Sequence, residues 1–363
     1  MTRPAWLALE DGSVWEGEAF GAEGTRTGEV VFNTSLTGYQ EILTDPSYCG
    51  QIVTMTAVHI GNTGVNREDM ESARPQGEGF VVRDHVAAAS NYRAEADLDG
   101  FLREAGIPAI AGVDTRALTR RLRTAGTMRG ILTTDPALRD ALARRAREAP
   151  RIEEEDLVGR VTCPAPYGWE DPAPSPLFHA FPVGPPGGGA SPRAAGPPAG
   201  RRPYRVSVVD LGIKRAILRS LRHAGCDLAV FPASAAAREL LAARPDGIFY
   251  SNGPGDPQQA RAAIASAREL AGRIPIFGIC LGHQILALAC GAKTYKLKFG
   301  HRGSNHPVQR REEGRVEVTT QNHGFAVDEP SAAAAGLAVT HRNLNDGTVE
   351  GLRDPSRELF SVQ

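Results

Sequence analysis

Hydrophobic positions along the chain change their spacing repeatedly, and each change marks an element. Over residues 1–150, apolar and β-branched runs such as GEVVFNTSL (28–36) and QIVTMTAV (51–58) predict strands. Between them, DLDGFLREAG (97–106), TRALTRRLRTAG (115–126) and DPALRDALARRARE (135–148) place apolar residues near i, i+3 and i+4, as helices do. This first region therefore reads as a mixed α/β domain. From residue 204 onward the pattern is more regular. RVSVVDLG (205–212), DLAVFPA (227–233), GIFYSNGPG (247–255) and IPIFGI (274–279) are continuous apolar strands. They alternate with helical stretches at 213–225, 234–245, 257–273 and 281–291, with Ser234 as the candidate N-cap of the second. Strands apolar on both faces and separated by helices belong in a parallel sheet covered on each side, so a doubly wound, mostly parallel α/β domain is expected over 204–363.

The stretch between the two regions has no such periodicity. VGPPGGGASPRAAGPPAGRRP (183–203) is Pro, Gly and Ala rich, and 151–203 is assigned as the linker. Two domains suit a length of 363 residues.

The formal net charge of -1 removes the basic excess by which nucleic-acid binding normally shows, so neither nucleic acid nor membrane is expected as a partner. The arginine clusters TRRLR (119–123) and ARRAR (143–147) lie at helical spacing among Ala and Leu and read as solvated helix faces. No apolar run is long enough to span a bilayer, and the first twenty residues meet charge and glycine too early for a secretory signal, so a cytoplasmic location is the expectation. Five cysteines at scattered positions, with no CxxC pair, indicate neither a disulfide framework nor a zinc site.

Candidate chemistry concentrates where strand 274–279 meets the following helix. Gly278-Ile279-Cys280-Leu281-Gly282 has the form of a nucleophile elbow with cysteine in place of serine. A tight strand-to-helix turn strains the middle residue, the flanking glycines keep side chains out of it, and the helix N-terminus favours a thiolate and offers amides to an oxyanion. An arbitrary cysteine in an apolar run is a small core residue, which is how Cys290 reads; the glycine bracket sets Cys280 apart. One strand earlier, SNGPGDP (251–257) is strong turn chemistry whose amides line the same carboxyl end of the sheet, where ligands bind in such folds.

These segments, together with QNHGFAVDE (321–329), resemble the class I glutamine amidotransferases. GEVVFNTSLTGYQEILTDPSYCGQIVTMT (28–56), IGNTGVN (60–66), AGVDTRALTRRLR (111–123) and KFGHRGSNHPV (298–308) narrow the resemblance to the small, glutamine-hydrolysing subunits of carbamoyl-phosphate synthase. The resemblance implies that Cys280 attacks the side-chain amide of L-glutamine through a thioester. It implies that the backbone at Gly253 and Leu281 stabilises the oxyanion, and that Ser35, Gly253, Gly255, Gln284, Asn322, Gly324 and Phe325 hold the substrate. It further implies that ammonia passes to a large synthetase subunit, which uses ATP, magnesium and bicarbonate in arginine and pyrimidine synthesis. No cofactor or metal is expected in this chain, and no GxxxxGK[ST] loop occurs in it.

The resemblance places the catalytic base in a His-Pro-Glu motif after the last strand, which RELFSVQ (357–363) resembles; no His-Pro-Glu occurs in the 363 residues. The favoured expectation is a sequence that stops short of that motif, so that the amidotransferase domain is incomplete at its C-terminus. The alternative is a non-hydrolysing regulatory or scaffolding partner of the large subunit. Of the other histidines, His283 is assigned to the helix, His323 to the pocket wall, and His301 and His306 to a loop. A glutaminase of another synthase, one making anthranilate or GMP, fits less well because those domains lack the 32–48 region.

Overall fold

The computed structural model describes residues 3–170 and 202–363, so most of the linker expected at 183–203 lies outside the described residues. The first region contributes β1 (Pro4–Leu9), β2 (Val14–Gly21), β3 (Thr25–Asn33), β4 (Gln51–Met55), β5 (His59–Ile60), β6 (Gly79–Val81), β7 (Asp84–His85), β8 (Pro108–Ala111) and β9 (Met128–Thr133). Seven of these close into a barrel in the order β1-β2-β8-β6-β4-β3-β9, with β9 returning to pair with β1. Helices α1 (Tyr39–Thr44), α2 (Leu98–Glu104) and α3 (Thr115–Ala125) accompany it. Alternate residues of β3 and β4 feed two packed layers. Val30 and Ile52 share one core cluster with Leu118 and Leu122 of α3, while Val31 and Val53 share another with Leu98 and Leu102 of α2. Burial on both faces is why these strands read as continuous apolar runs.

The single helix expected over 135–148 is a 3-10 turn, Pro136–Ala141, followed by α4 (Leu142–Glu148). Asp135 caps the turn by accepting from the Ala137 N–H, and only Leu142 and Ala146 of the stretch reach the core, so α-geometry begins where burial begins.

Residues 152–168, within the segment assigned to the linker, form structure of their own. In the 3-10 turn Ile152–Glu154 and α5 (Leu157–Val161), Ile152 and Leu157 pack on Cys49 beside the barrel, while Val158 enters the core of the second domain. β10 (Tyr167–Gly168) then pairs with the edge of the second sheet. This stretch straps one domain to the other.

The second domain has β11 (Tyr204–Asp210), β12 (Cys226–Pro232), β13 (Gly247–Tyr250), β14 (Ile276–Ile279), β15 (Thr294–Arg310), β16 (Val316–Val327), β17 (Ala338–Asn343), β18 (Val349–Asp354) and β19 (Leu359–Val362). The parallel core expected from sequence is present, as β12-β11-β13-β14-β19, and the sheet continues antiparallel through β18, β17, β15 and β16. Its helices are α6 (Arg215–His223), α7 (Ala237–Ala242), α8 (Arg261–Leu270), α9 (Leu281–Ala289) and α10 (Glu329–Ala334). Ser234 is not the cap of α7. The helix starts after Ala236, whose backbone N–H donates to Glu239 Oε2 at 2.7 Å. His301 and His306 lie in β15 rather than in a loop: register shifts between Lys296 and His301 and between Gly303 and His306 absorb the glycines that read as turn residues. Among the described residues, no helix is long and apolar enough to cross a membrane.

Candidate active site

β14 ends at Ile279 and α9 begins at Leu281, leaving one residue for the turn. Cys280 takes it with φ 54° and ψ -105°, a left-handed backbone that side chains rarely adopt. Hydrogen bonds on both sides hold it there: the Cys280 N–H donates to the Val362 carbonyl at 2.9 Å and the Gly282 N–H to the Ser251 carbonyl at 2.9 Å. Both bracketing glycines are required by space. A Cβ at Gly282 would stand 2.1 Å from the Tyr250 carbonyl oxygen, and one at Gly278 would stand 2.7 Å from the Gly282 backbone. The elbow expected from sequence is therefore present, with its strain over-determined by neighbours.

Cys280 is partly exposed and looks into a cavity of about 270 Å³ between the two domains. Ser35 and Asp45 from the barrel and Asn322 from β16 line it. A second, much smaller cavity of about 20 Å³ shares Cys280 and Asn322 and takes in Gly253, Gly255, Leu281, Gln284, Gly324 and Phe325. All nine sequence-predicted site residues thus line one or both of two adjoining spaces whose common element is the thiol. A Cβ at Gly253 would stand 2.1 Å from the Leu211 carbonyl oxygen, and Gly255 has φ +82°, so SNGPGDP needs its glycines for backbone reasons. Gln284 uses its amide nitrogen to hold the Phe325 carbonyl at 2.8 Å and Gln363 Oε1 at 2.8 Å, tying α9 to β16 and to the end of β19.

Burial pushes the Cys280 thiol up to about 12, and Asp45 adds to this; Lys214 and the Leu281 N–H pull the other way without overcoming it. The Leu281 N–H at the helix N-terminus favours the thiolate, in the direction expected from sequence, but burial outweighs it. The thiol donates to the Asn322 carbonyl at 3.6 Å. Neither nearby histidine is turned to it. His283 is fully buried with Nδ1 on Ser361 Oγ at 2.9 Å, and burial drives it down to about 3. His323 gives Nδ1–H to the Phe325 carbonyl at 2.7 Å and turns Nε2 to His301, and burial brings it down to about 4. β14 and β19 run parallel with Ile279 opposite Val362, so β19 brings the chain to the pocket beside Cys280, and Gln363 lines the cavity.

Sequence reasoning missed the polar frame behind the thiol. Asp45 Oδ2 accepts from Asn322 Nδ2 at 3.1 Å, joining barrel to sheet. Asn252 Nδ2 donates to Ser47 Oγ at 3.0 Å and to the Gly212 carbonyl at 2.9 Å, while its Oδ1 accepts the Lys214 N–H at 3.1 Å. Burial works against the Lys214 charge, but Asp45 and Glu71 hold its pKa above the ordinary value. Ser35 is set by Asn33, whose Oδ1 accepts the Ser35 N–H at 2.7 Å and whose Nδ2 donates to Tyr48 Oη at 2.8 Å. The local signal for these residues was the Asp-Pro-Ser turn at 45–47, which is ordinary turn chemistry until the second domain packs on it.

Comparison with known proteins finds a family for each of the two regions. The family described as "Carbamoyl-phosphate synthase small chain, CPSase domain" matches residues 7–132, and "Glutamine amidotransferase class-I" matches residues 207–363. The carbamoyl phosphate synthase small chain of Syntrophotalea carbinolica is 52% identical over 359 residues, covering 99% of this chain and 91% of that protein. The Bacillus caldolyticus small chain is 48% identical, covering 98% and 89%, and the chloroplastic small chain of Oryza sativa subsp. japonica is 47% identical, covering 99% and 77%. With both family domains in order and half of the residues shared across nearly its whole length, this chain belongs to the carbamoyl phosphate synthase small chains.

Proposed function

We propose that Cys280 is the nucleophile with which this glutamine-hydrolysing small chain opens its substrate, and that the interdomain cavity is where glutamine binds. The observation that carries the proposal is the strained elbow that aims Cys280 into a space whose opposite wall, Ser35 included, comes from the barrel. Sulfur attacks the side-chain carbonyl carbon, the carbonyl π electrons move to oxygen, and the Leu281 N–H with the Gly253 backbone receives the charge. Collapse breaks the C–N bond and expels ammonia with a proton delivered to it; water then cleaves the thioester to glutamate. Splitting the hydrolysis this way avoids direct attack of water on an amide.

A thiol pushed up to about 12 needs a proton acceptor at the moment of attack. His283 holds Ser361 through Nδ1 and has its Nε2 buried without a partner, and both ring nitrogens of His323 meet other groups, so no hydrogen bond joins either ring to the thiol. The resemblance assigns the base to a histidine following the last strand, and β19 pairs so that its carboxyl end lies beside Cys280. By the same resemblance, Ser35, Gly253, Gly255, Gln284, Asn322, Gly324 and Phe325 are assigned to holding glutamine. ATP chemistry is assigned to a large synthetase chain that receives the ammonia, and this chain is assigned no cofactor.

The test is glutaminase activity of the chain with its large partner, followed as glutamate release, alongside labelling by a glutamine-mimicking chloroketone. Modification of Cys280 ahead of Cys290 and Cys226, with glutamate release abolished in Cys280→Ser, is the expected result. Equal labelling of the three, or glutamate release that survives the substitution, overturns it.

A further inference from the structure

Three buried side chains from three different strands converge: His301 of β15, His323 of β16 and Glu350 of β18, exposed by 6%, 5% and 2%. His301 Nδ1 stands 3.2 Å from His323 Nε2 and 3.5 Å from Glu350 Oε1, and His323 Nε2 stands 4.0 Å from that oxygen. The outer ring nitrogens fix what faces inward. His323 Nδ1 meets the Phe325 carbonyl at 2.7 Å, so it carries the proton and leaves Nε2 with a lone pair. His301 Nε2 meets Asp346 Oδ2 at 2.8 Å, so it carries its proton outward and leaves Nδ1 with a lone pair. The Asn343 amide agrees with this. Its Oδ1 accepts the Asn345 N–H at 2.9 Å, which turns Nδ2 to Glu350 Oε1 at 2.9 Å and to His301 Nδ1 at 3.4 Å as a donor. Two lone pairs and a carboxylate then face one another, and Glu350 Oε2 is buried with no hydrogen-bond partner. A cation placed among them, whether a proton or a metal ion, relieves their repulsion.

We propose that His301, His323 and Glu350 form a binding site for one divalent transition-metal ion of the zinc type, adjoining the Cys280 site, whose small cavity His323 also lines. Zinc bonds of about 2.0–2.1 Å in a tetrahedron separate ligand atoms by about 3.3 Å, and the three observed spacings bracket that value. Two imidazoles and one carboxylate suit zinc or cobalt better than calcium or magnesium. Each histidine already gives its outer N–H to a carboxylate or a carbonyl, the outer-shell arrangement that orients metal-binding imidazoles. A bound ion joins β15, β16 and β18, and through β16 it stiffens the strand carrying Asn322, Gly324 and Phe325.

The experiment uses full-length Cys280→Ser, so that the thiol contributes no ligand, stripped with a chelator and titrated with Co(II). Expected are one equivalent per chain, visible d–d absorption of a low-coordinate site that Zn(II) abolishes, and a raised Tm with either ion. Glu350→Gln and His301→Gln are expected to lose saturable binding. Asp346→Asn, which alters the outer partner of His301 and leaves all three ligands in place, weakens it about 10–100-fold, and His341→Gln leaves it unchanged. Absence of saturable binding in folded Cys280→Ser overturns the proposal, leaving a proton as the cation shared by the three groups. Equal binding by the Glu350 and His301 variants also overturns it. Should Glu350→Gln fail to fold, His301→Gln and Asp346→Asn decide the same question.

Discussion

Helix α9 has a cysteine at each end, and the two differ in almost everything but their electrostatics. Burial raises the pKa of both Cys280 and Cys290 above that of a free thiol. Cys280, at the N-terminal end, is held at φ 54° between two glycines that admit no Cβ, with a cavity in front of it. Cys290, at the C-terminal end, has φ -81° and ψ -5°, an unstrained helical backbone, and lines none of the cavities described above. What separates Cys280, the proposed nucleophile, from Cys290 is placement: strain, access and the approach of β19. Acidity at rest does not separate them.

The largest expected break in that comparison is in rate. Cys280→Ser should lower glutamine hydrolysis by about four to six powers of ten, whereas Cys290→Ser should change it less than about twofold, both read as glutamate release under saturating substrate. Comparable losses would place the difference elsewhere than the elbow. Next in size is stability at the bracketing glycines. Gly282→Ala drives a Cβ into the Tyr250 carbonyl and should cost about 3 kcal/mol. Gly291→Ala, at φ +97° with nothing within 4 Å of its Cβ, should cost about 1 kcal/mol from backbone strain alone. Urea unfolding of the two variants measures the difference, and equal costs would mean that the crowding at the elbow relaxes.

A smaller effect tests the frame around the thiol. Asn252→Ala removes a side chain bonded to Ser47 and Gly212 and should cost about 1–3 kcal/mol, with KM for glutamine raised more than kcat is lowered. Calorimetry and steady-state kinetics on one preparation read both. The smallest effect concerns protons. A thiol pushed up to about 12 is overwhelmingly protonated at neutral pH, and its thiolate fraction rises as pH rises. Iodoacetamide labelling of Cys280, followed by peptide mass spectrometry without glutamine, should therefore climb about tenfold per pH unit from 7 to 9. A plateau in that range would show that the helix terminus and Lys214 outweigh burial after all.

Much of this was legible in the chain because its causes are local. The β11–β14 strands announce themselves by continuous apolar residues, their helices by 3.6-residue spacing, and the elbow by glycines that crowding makes unavoidable. The β15–β16 ribbon was harder to read. Its register shifts at 296–301 and 303–306 put Gly, His and Pro where a uniform strand would alternate, so the segment holding His301 and His306 looked like a loop. Nor did residues 152–168 look structured, because Ile152, Leu157 and Val158 are buried by two different domains, and no single-helix pattern records that.

By itself the sequence determined where the strained elbow lies, since steric demands on Gly278, Cys280 and Gly282 act within five residues. Through motif resemblance it also determined the family. Only the tertiary structure decided which polar groups meet. Asp45 reaches Asn322 across 277 positions, Asn252 reaches Ser47 across 205, and His301, His323 and Glu350 meet because three strands align in one sheet. Local sterics are written in neighbouring residues. A charged or hydrogen-bonded constellation depends on how separate layers pack, and on the water that packing excludes, which no short window of sequence contains.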